Sequence, residues 1–168
     1  MPSNPFWEYS LKLYELPHVA EFCLGLQDAI NKPGNAANIN LLLFCCWAGS
    51  KGLVLTKDDF DDLESTIGDW HTNTVLPLRS QRRVIGISDQ QKQNLLTQEL
   101  AAERTEQDIL FRWLEHPHRY SEKRDKPYDQ ETIFLNIQHN LISYCEGLSL
   151  RIATDNPLLS AAVKHHTL

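Results

Sequence analysis

Residues 38–49 read NINLLLFCCWAG, the most apolar stretch of the chain, with the adjacent pair Cys45 and Cys46 near its centre. Apolar side chains all round a helix mark a segment surrounded by other elements. Leucine-rich composition with few β-branched residues favours helix over buried strand, and Gly49, Lys51 and Gly52 supply a stop. A central helix over about Ala36 to Gly49 is therefore expected. The run from Ile39 to Ala48 is interrupted by Asn40 and falls far short of the roughly 20 residues of a spanning helix, so a membrane span is rejected. A disulfide between Cys45 and Cys46 would strain their shared peptide and break the helix. With Cys23 and Cys145 they lack C-x-x-C spacing, and all four read as buried thiols acting as small hydrophobes.

Working outward, Asn4-Pro5 is a helix start, and Phe6, Tyr9 and Leu13 share one face of a helix over Pro5 to Tyr14. Pro17 opens a second helix, with Val19, Phe22, Cys23, Leu26 and Ile30 at helical spacing before the turn Asn31-Lys32-Pro33-Gly34. Thr56 and Asp59 form a capping-box pair ahead of a fourth helix whose buried stripe is Phe60, Leu63, Ile67, Trp70 and Thr74. Pro77 is expected to kink or restart that helix, leaving Leu78 to Ile85 as a separate short segment. Ser88 and Gln91 form a second capping box and open the longest helix, which runs to about Glu115. The charged stretch 116–129 is expected to be a loop. After it Ile133, Ile137, Asn140, Leu141 and Tyr144 recur at helical spacing, and a short helix follows Asn156-Pro157. No strand pattern or internal repeat stands out, so an all-α bundle of about six to seven helices is expected. Its parts are a helical core over 5–115, the linker 116–129 and a C-terminal helical extension over 130–168.

A chain of 168 residues, 42% of them hydrophobic, suits one compact domain. Its net charge of −6 opposes general attraction to phosphate backbones or anionic membranes. The opening MPSNPFWEYS has no basic region followed by an apolar one, so a cytoplasmic location is expected.

DDFDD, Asp58 to Asp62, satisfies the DDxxD pattern that holds magnesium and diphosphate, but acids crowding a helix N-terminus are already explained by capping and the macrodipole. His116, His118, His165 and His166 read as surface histidines rather than metal ligands. H-E-x-x-H, G-x-S-x-G and a phosphate-binding glycine loop are absent. No catalytic residue, metal or cofactor is assigned.

The most informative cluster is PLRSQRR, Pro77 to Arg83. On a helix, Arg79, Arg82 and Arg83 are spaced i, i+3 and i+4, so their guanidinium groups emerge from one face and can fork onto carboxylate or phosphate. Glu99 and Glu103 lie on the side of the longest helix that also carries Leu96 and Leu100, and Arg82 or Arg83 is expected to pair with them across the Gly86-Ile87-Ser88 turn. Trp7, Trp47, Trp70 and Trp113 fall one to a helix, with Trp70 nearest the arginines.

Taken in order, FWEYSLKLY, FCLGLQD, NINLLLFCCW, and the run from Trp70 through PLRSQRR to QELAAE resemble segments of a small bacterial family, domain of unknown function (DUF) 2390. The resemblance spans about Phe6 to Leu114 and implies a small cytoplasmic helical protein, with no activity to carry over. The function expected is that of a non-enzymatic interaction or regulatory protein, with Arg79, Arg82, Arg83 and Trp70 as contact surface for a protein or an anionic small ligand. A homodimer is compatible with this, and nucleic acid is disfavoured. The alternative is a small-molecule enzyme or ligand-binding protein; a deep polar pocket holding Arg82, Arg83, Glu99 and Glu103 would favour it, and an exposed arginine fork would oppose it.

Overall fold

The chain is described by a computed structural model over residues 4–28, 36–116 and 127–166. It is an all-α bundle: α1 (Pro5–Tyr14), α2 (Val19–Gln27), α3 (Ile39–Ser50), α4 (Lys57–Trp70), a π-helical turn (His71–Val75), α5 (Leu76–Arg82), α6 (Asp89–Leu114), α7 (Gln130–Gly147) and α8 (Pro157–His166). The Asn31–Gly34 turn, residues 117–126 of the expected loop, and His118 lie outside the described residues.

Side-chain caps set most of the helix starts. The Asn4 carboxamide accepts from the backbone N–H groups of Phe6 and Trp7 and donates to Asp108, which ties the start of α1 to α6. Capping boxes at Thr56/Asp59 and Ser88/Gln91 open α4 and α6. Three of the four acids of DDFDD are likewise engaged: Asp59 in the box, Asp61 with Lys57, and Asp62 accepting from the Trp113 indole at 2.8 Å. Pro17 does not itself enter a helix; α2 begins at Val19, after His18 in a left-handed conformation.

Pro77 perturbs the helix, and the form this takes is a π turn. The helical path does not break before it but widens into the π turn, in which the Leu76 N–H donates five residues back to His71. Proline has no N–H to donate, and its ring crowds the carbonyl four residues earlier; the π turn absorbs this without ending the helix. The arginine helix consequently starts at Leu76 and ends at Arg82, leaving Val84 and Ile85 in the turn beyond.

α3 is the centre of the bundle, packed by α1, α2, α6, α7 and α8, and every residue from Asn40 to Ser50 is buried. All four cysteines are buried free thiols. Burial pushes Cys23 up to about 12 and Cys145 up to about 11, and holds Cys45 and Cys46 well above the ordinary thiol value. They remain protonated and pack as small hydrophobes. The aromatic rings interlock around them, Phe6 edge-on to Phe44 at 5.5 Å and Phe44 edge-on to Trp113 at 5.9 Å.

The segment following the loop is part of this core: Ile133, Ile137, Leu141, Tyr144 and Cys145 of α7 and Leu158, Leu159 and Ala162 of α8 join the same buried cluster as α1 to α6. α7 lies closest to α3, where Gly49 admits the α7 backbone at Ile137. The fully buried Asn140 fixes the register. Its amide donates to the carbonyls of Cys45 and Leu53, and its oxygen accepts from the Leu55 N–H at 2.8 Å, satisfying the backbone where the chain leaves α3.

Candidate functional site

The polar centre of the molecule is built by one face of α6. Glu99, Glu103, Glu106 and Gln107 recur at helical spacing there, and all but Glu103 are buried. Buried carboxylates require cations or several donors, and the two ends of this face meet the requirement differently.

At the α5 end the partners are arginines. Arg79, itself buried, donates from Nε to Glu99 and from Nη2 to Glu103, both at 2.9 Å. Arg82 donates from Nε and Nη2 to the two oxygens of Glu99. Burial acts to raise the Glu99 pKa, but the hydrogen bonds from Arg82 and Arg79 outweigh it and hold the carboxyl below its usual value. Glu103 shifts the other way, raised chiefly by burial against the lowering effect of Arg79.

At the other end the donors are neutral amides. Glu106 accepts from the amides of Asn38 at 2.7 Å and Asn40 at 3.0 Å on one oxygen, and meets His71 Nδ1 at 2.8 Å on the other. Because Asn40 turns its nitrogen to the carboxylate, its oxygen is left to accept, and Gln107 Nε2 donates to it at 2.8 Å. That fixes the Gln107 amide with its oxygen outward from the chain of bonds. Oε1 of Gln107 and Oγ of Ser10 are buried and have no hydrogen-bond partner among the described residues.

Between these groups and the N-terminal helices lies a pocket of about 230 Å³. Its polar wall is Arg79, Arg82, Glu99, Glu103, Asn40, Gln107, Ser10 and Gln27, and its apolar wall includes Trp7, Leu11, Tyr14, Leu24, Leu43, Leu96 and Leu100. One polar side against a broad apolar one is the composition of a small-molecule site.

The residues singled out from the sequence are thus divided. Arg79, Arg82, Glu99 and Glu103 come together as one network on the pocket wall. Arg83 follows the last residue of α5 and turns away to Asp28 at the end of α2, with both side chains about half exposed. Trp70 sits on the far side, donating its indole N–H to the Ala102 carbonyl and joining α4 to α6. Three of the four pocket residues named in advance therefore share the site, and Arg79 takes the place expected of Arg83. Ser10, Asn40, Glu106, His71 and Gln107 were not foreseen as site residues. The available signal was Asn40, the polar interruption in the apolar run. Among the described residues no group of three His, Cys, Asp or Glu side chains could hold a metal ion, and no helix is long and apolar enough to cross a membrane.

A family model described as "Protein of unknown function (DUF2390)" matches residues 5–110, well over half of the chain, and the chain belongs to that family. No curated protein and no solved structure matches it.

Proposed function

We propose that this DUF2390 protein is a ligand-binding protein of the bacterial cytoplasm, which holds a small, mainly apolar molecule in the pocket between α1, α2, α3, α5 and α6. The observation that carries this is the pocket wall itself: two of the three arginines expected to make a contact surface, Arg79 and Arg82, are turned onto Glu99 and Glu103, beside a concave, largely apolar space. The volume of 230 Å³ is larger than an engineered apolar cavity of about 150 Å³ that takes up benzene, and on that scale suits about nine non-hydrogen atoms. The paired state of Arg79 and Arg82, in a chain of net charge −6, supports a small molecule over nucleic acid as partner. Four buried free thiols support a reducing compartment.

Titration of the isotopically labelled protein with ethylbenzene tests this. Saturable shifts of the Ser10, Leu43 and Glu103 backbone amides are expected in the wild type. They should be lost in Leu100→Trp, which fills the rim from a half-exposed position on α6. Shifts scattered over the surface, or unchanged by Leu100→Trp, would reject the pocket as a binding site.

A second reading, a protein contact, is favoured by the turn after α5. Ile85 is 99% exposed there, next to half-exposed Val84 and Arg83. If this turn pairs two copies of the chain, sedimentation equilibrium will show a dimer that Ile85→Asp dissociates. A monomer at all concentrations would remove self-association.

A further inference from the structure

We infer that the pocket selects, among small apolar molecules, those whose head group donates a hydrogen bond, an alcohol or an amine, over carboxylates of the same size. The inference rests on the pocket being a ligand site and adds the chemistry of what fills it. It begins from the direction of the buried hydrogen bonds. The Glu106 carboxylate can only accept, so Asn40 donates to it; Asn40 then accepts from Gln107, and Gln107 Oε1 is left as an acceptor without a donor. Ser10 Oγ is the second pocket oxygen without a partner among the described residues, and both residues line the pocket at no more than 2% exposure. Polar atoms closed off from water and left unpaired are costly to the fold, and a donor brought by a ligand removes that cost. Ser10 has a single side-chain torsion and meets an incoming hydroxyl by rotating.

The charges on the same wall point in the same direction. The Nε and Nη2 donors of both arginines are committed to carboxylates, Arg79 to Glu99 and Glu103 and Arg82 to Glu99. Two guanidinium groups thus face two carboxylates, with Glu106 as a third acid reached from Gln107 through Asn40. A carboxylate head would meet the Gln107 oxygen and the Glu103 carboxylate at close quarters, an acceptor against acceptors. Tyr14, with a hydroxyl that donates or accepts, and Gln27, with an amide that does both, also line the pocket and can serve either kind of head group.

The experiment compares ethylbenzene, 2-phenylethanol, 2-phenylethylamine and phenylacetate at pH 7. Dissociation constants would be measured by the same amide shifts on the full chain, for wild type and Ser10→Ala. The alcohol and the amine are expected to bind about tenfold tighter than ethylbenzene, although ethylbenzene is the most apolar, and phenylacetate weakest. Ser10→Ala exchanges one small side chain for another and should reduce the alcohol's advantage over ethylbenzene to about threefold. Gln107→Met, checked by its thermal melt, should reduce it similarly. If ethylbenzene binds as tightly as the alcohol, the head-group inference is overturned while the pocket remains a binding site. Tightest binding of phenylacetate overturns it in favour of an anionic ligand. If none of the four compounds shifts the pocket amides, the ligand-binding reading and this inference fall together.

Discussion

Replacing Arg79 by alanine is expected to cost about 3–5 kcal/mol of folding stability, roughly a 10–15 °C drop in Tm for a domain of this size. The cost comes from what is left behind. Among the described residues, without Arg79 the buried Glu99 keeps only Arg82, and Glu103 loses the one guanidinium that bonds it. A carboxylate away from water with its cation removed must be resolvated by local opening or take up a proton, and either weakens the contact between α5 and α6. Glu99→Gln in the Arg79→Ala background removes the stranded charge and should recover about 1–3 kcal/mol, a coupling measurable by a double-mutant cycle in urea. Arg83→Ala should change stability by less than about 1 kcal/mol, because its pair with Asp28 is half exposed. If Arg79→Ala unfolds at the same urea concentration as Arg83→Ala, the network is not structural.

Gly49→Ala is the second large effect. A Cβ at residue 49 would lie 2.7 Å from both Cγ1 and the backbone nitrogen of Ile137 and 2.8 Å from its Cα. Two of those three atoms are backbone of α7, so no rotamer change relieves the clash and the helices must move apart. α3 is buried along its length, which gives it nowhere to retreat. Overpacking of this kind costs typically 1–3 kcal/mol and sometimes more, against about 1 kcal/mol gained in helix propensity. With two backbone atoms under 3 Å the cost falls at the upper end, and a net loss of about 2 kcal/mol is expected by thermal unfolding. Ile137→Ala should not rescue it, since the backbone contacts remain. Gly68→Ala is the matching control: a Cβ there meets nothing within 4 Å in the interior of α4, so the same substitution should stabilise by about 0.5–1 kcal/mol. Opposite signs at residues 49 and 68 would locate the effect in the α3–α7 approach, and equal signs would refute it.

What the sequence determined by itself was what depends on neighbours a few residues away. The Asn4, Thr56 and Ser88 caps, the all-round apolar α3 and the long α6 are set by side chains reaching their own turn and by the 3.6-residue period. So was the presence of arginines and glutamates able to pair across the α5–α6 turn. The tertiary structure decided which of them do. A widened turn before Pro77 set the rotation of α5, aiming Arg79 and Arg82 at α6 and leaving Arg83 to Asp28. Likewise Asn140 finds Cys45 across 95 residues of chain, and Gln107 finds Asn40 across 67. No local periodicity encodes such meetings, because they depend on which helix faces oppose one another once the core has closed. The pocket is legible only there: each wall is an ordinary amphipathic helix, and its polar side acquires a shared direction when α1, α3, α5 and α6 are brought together.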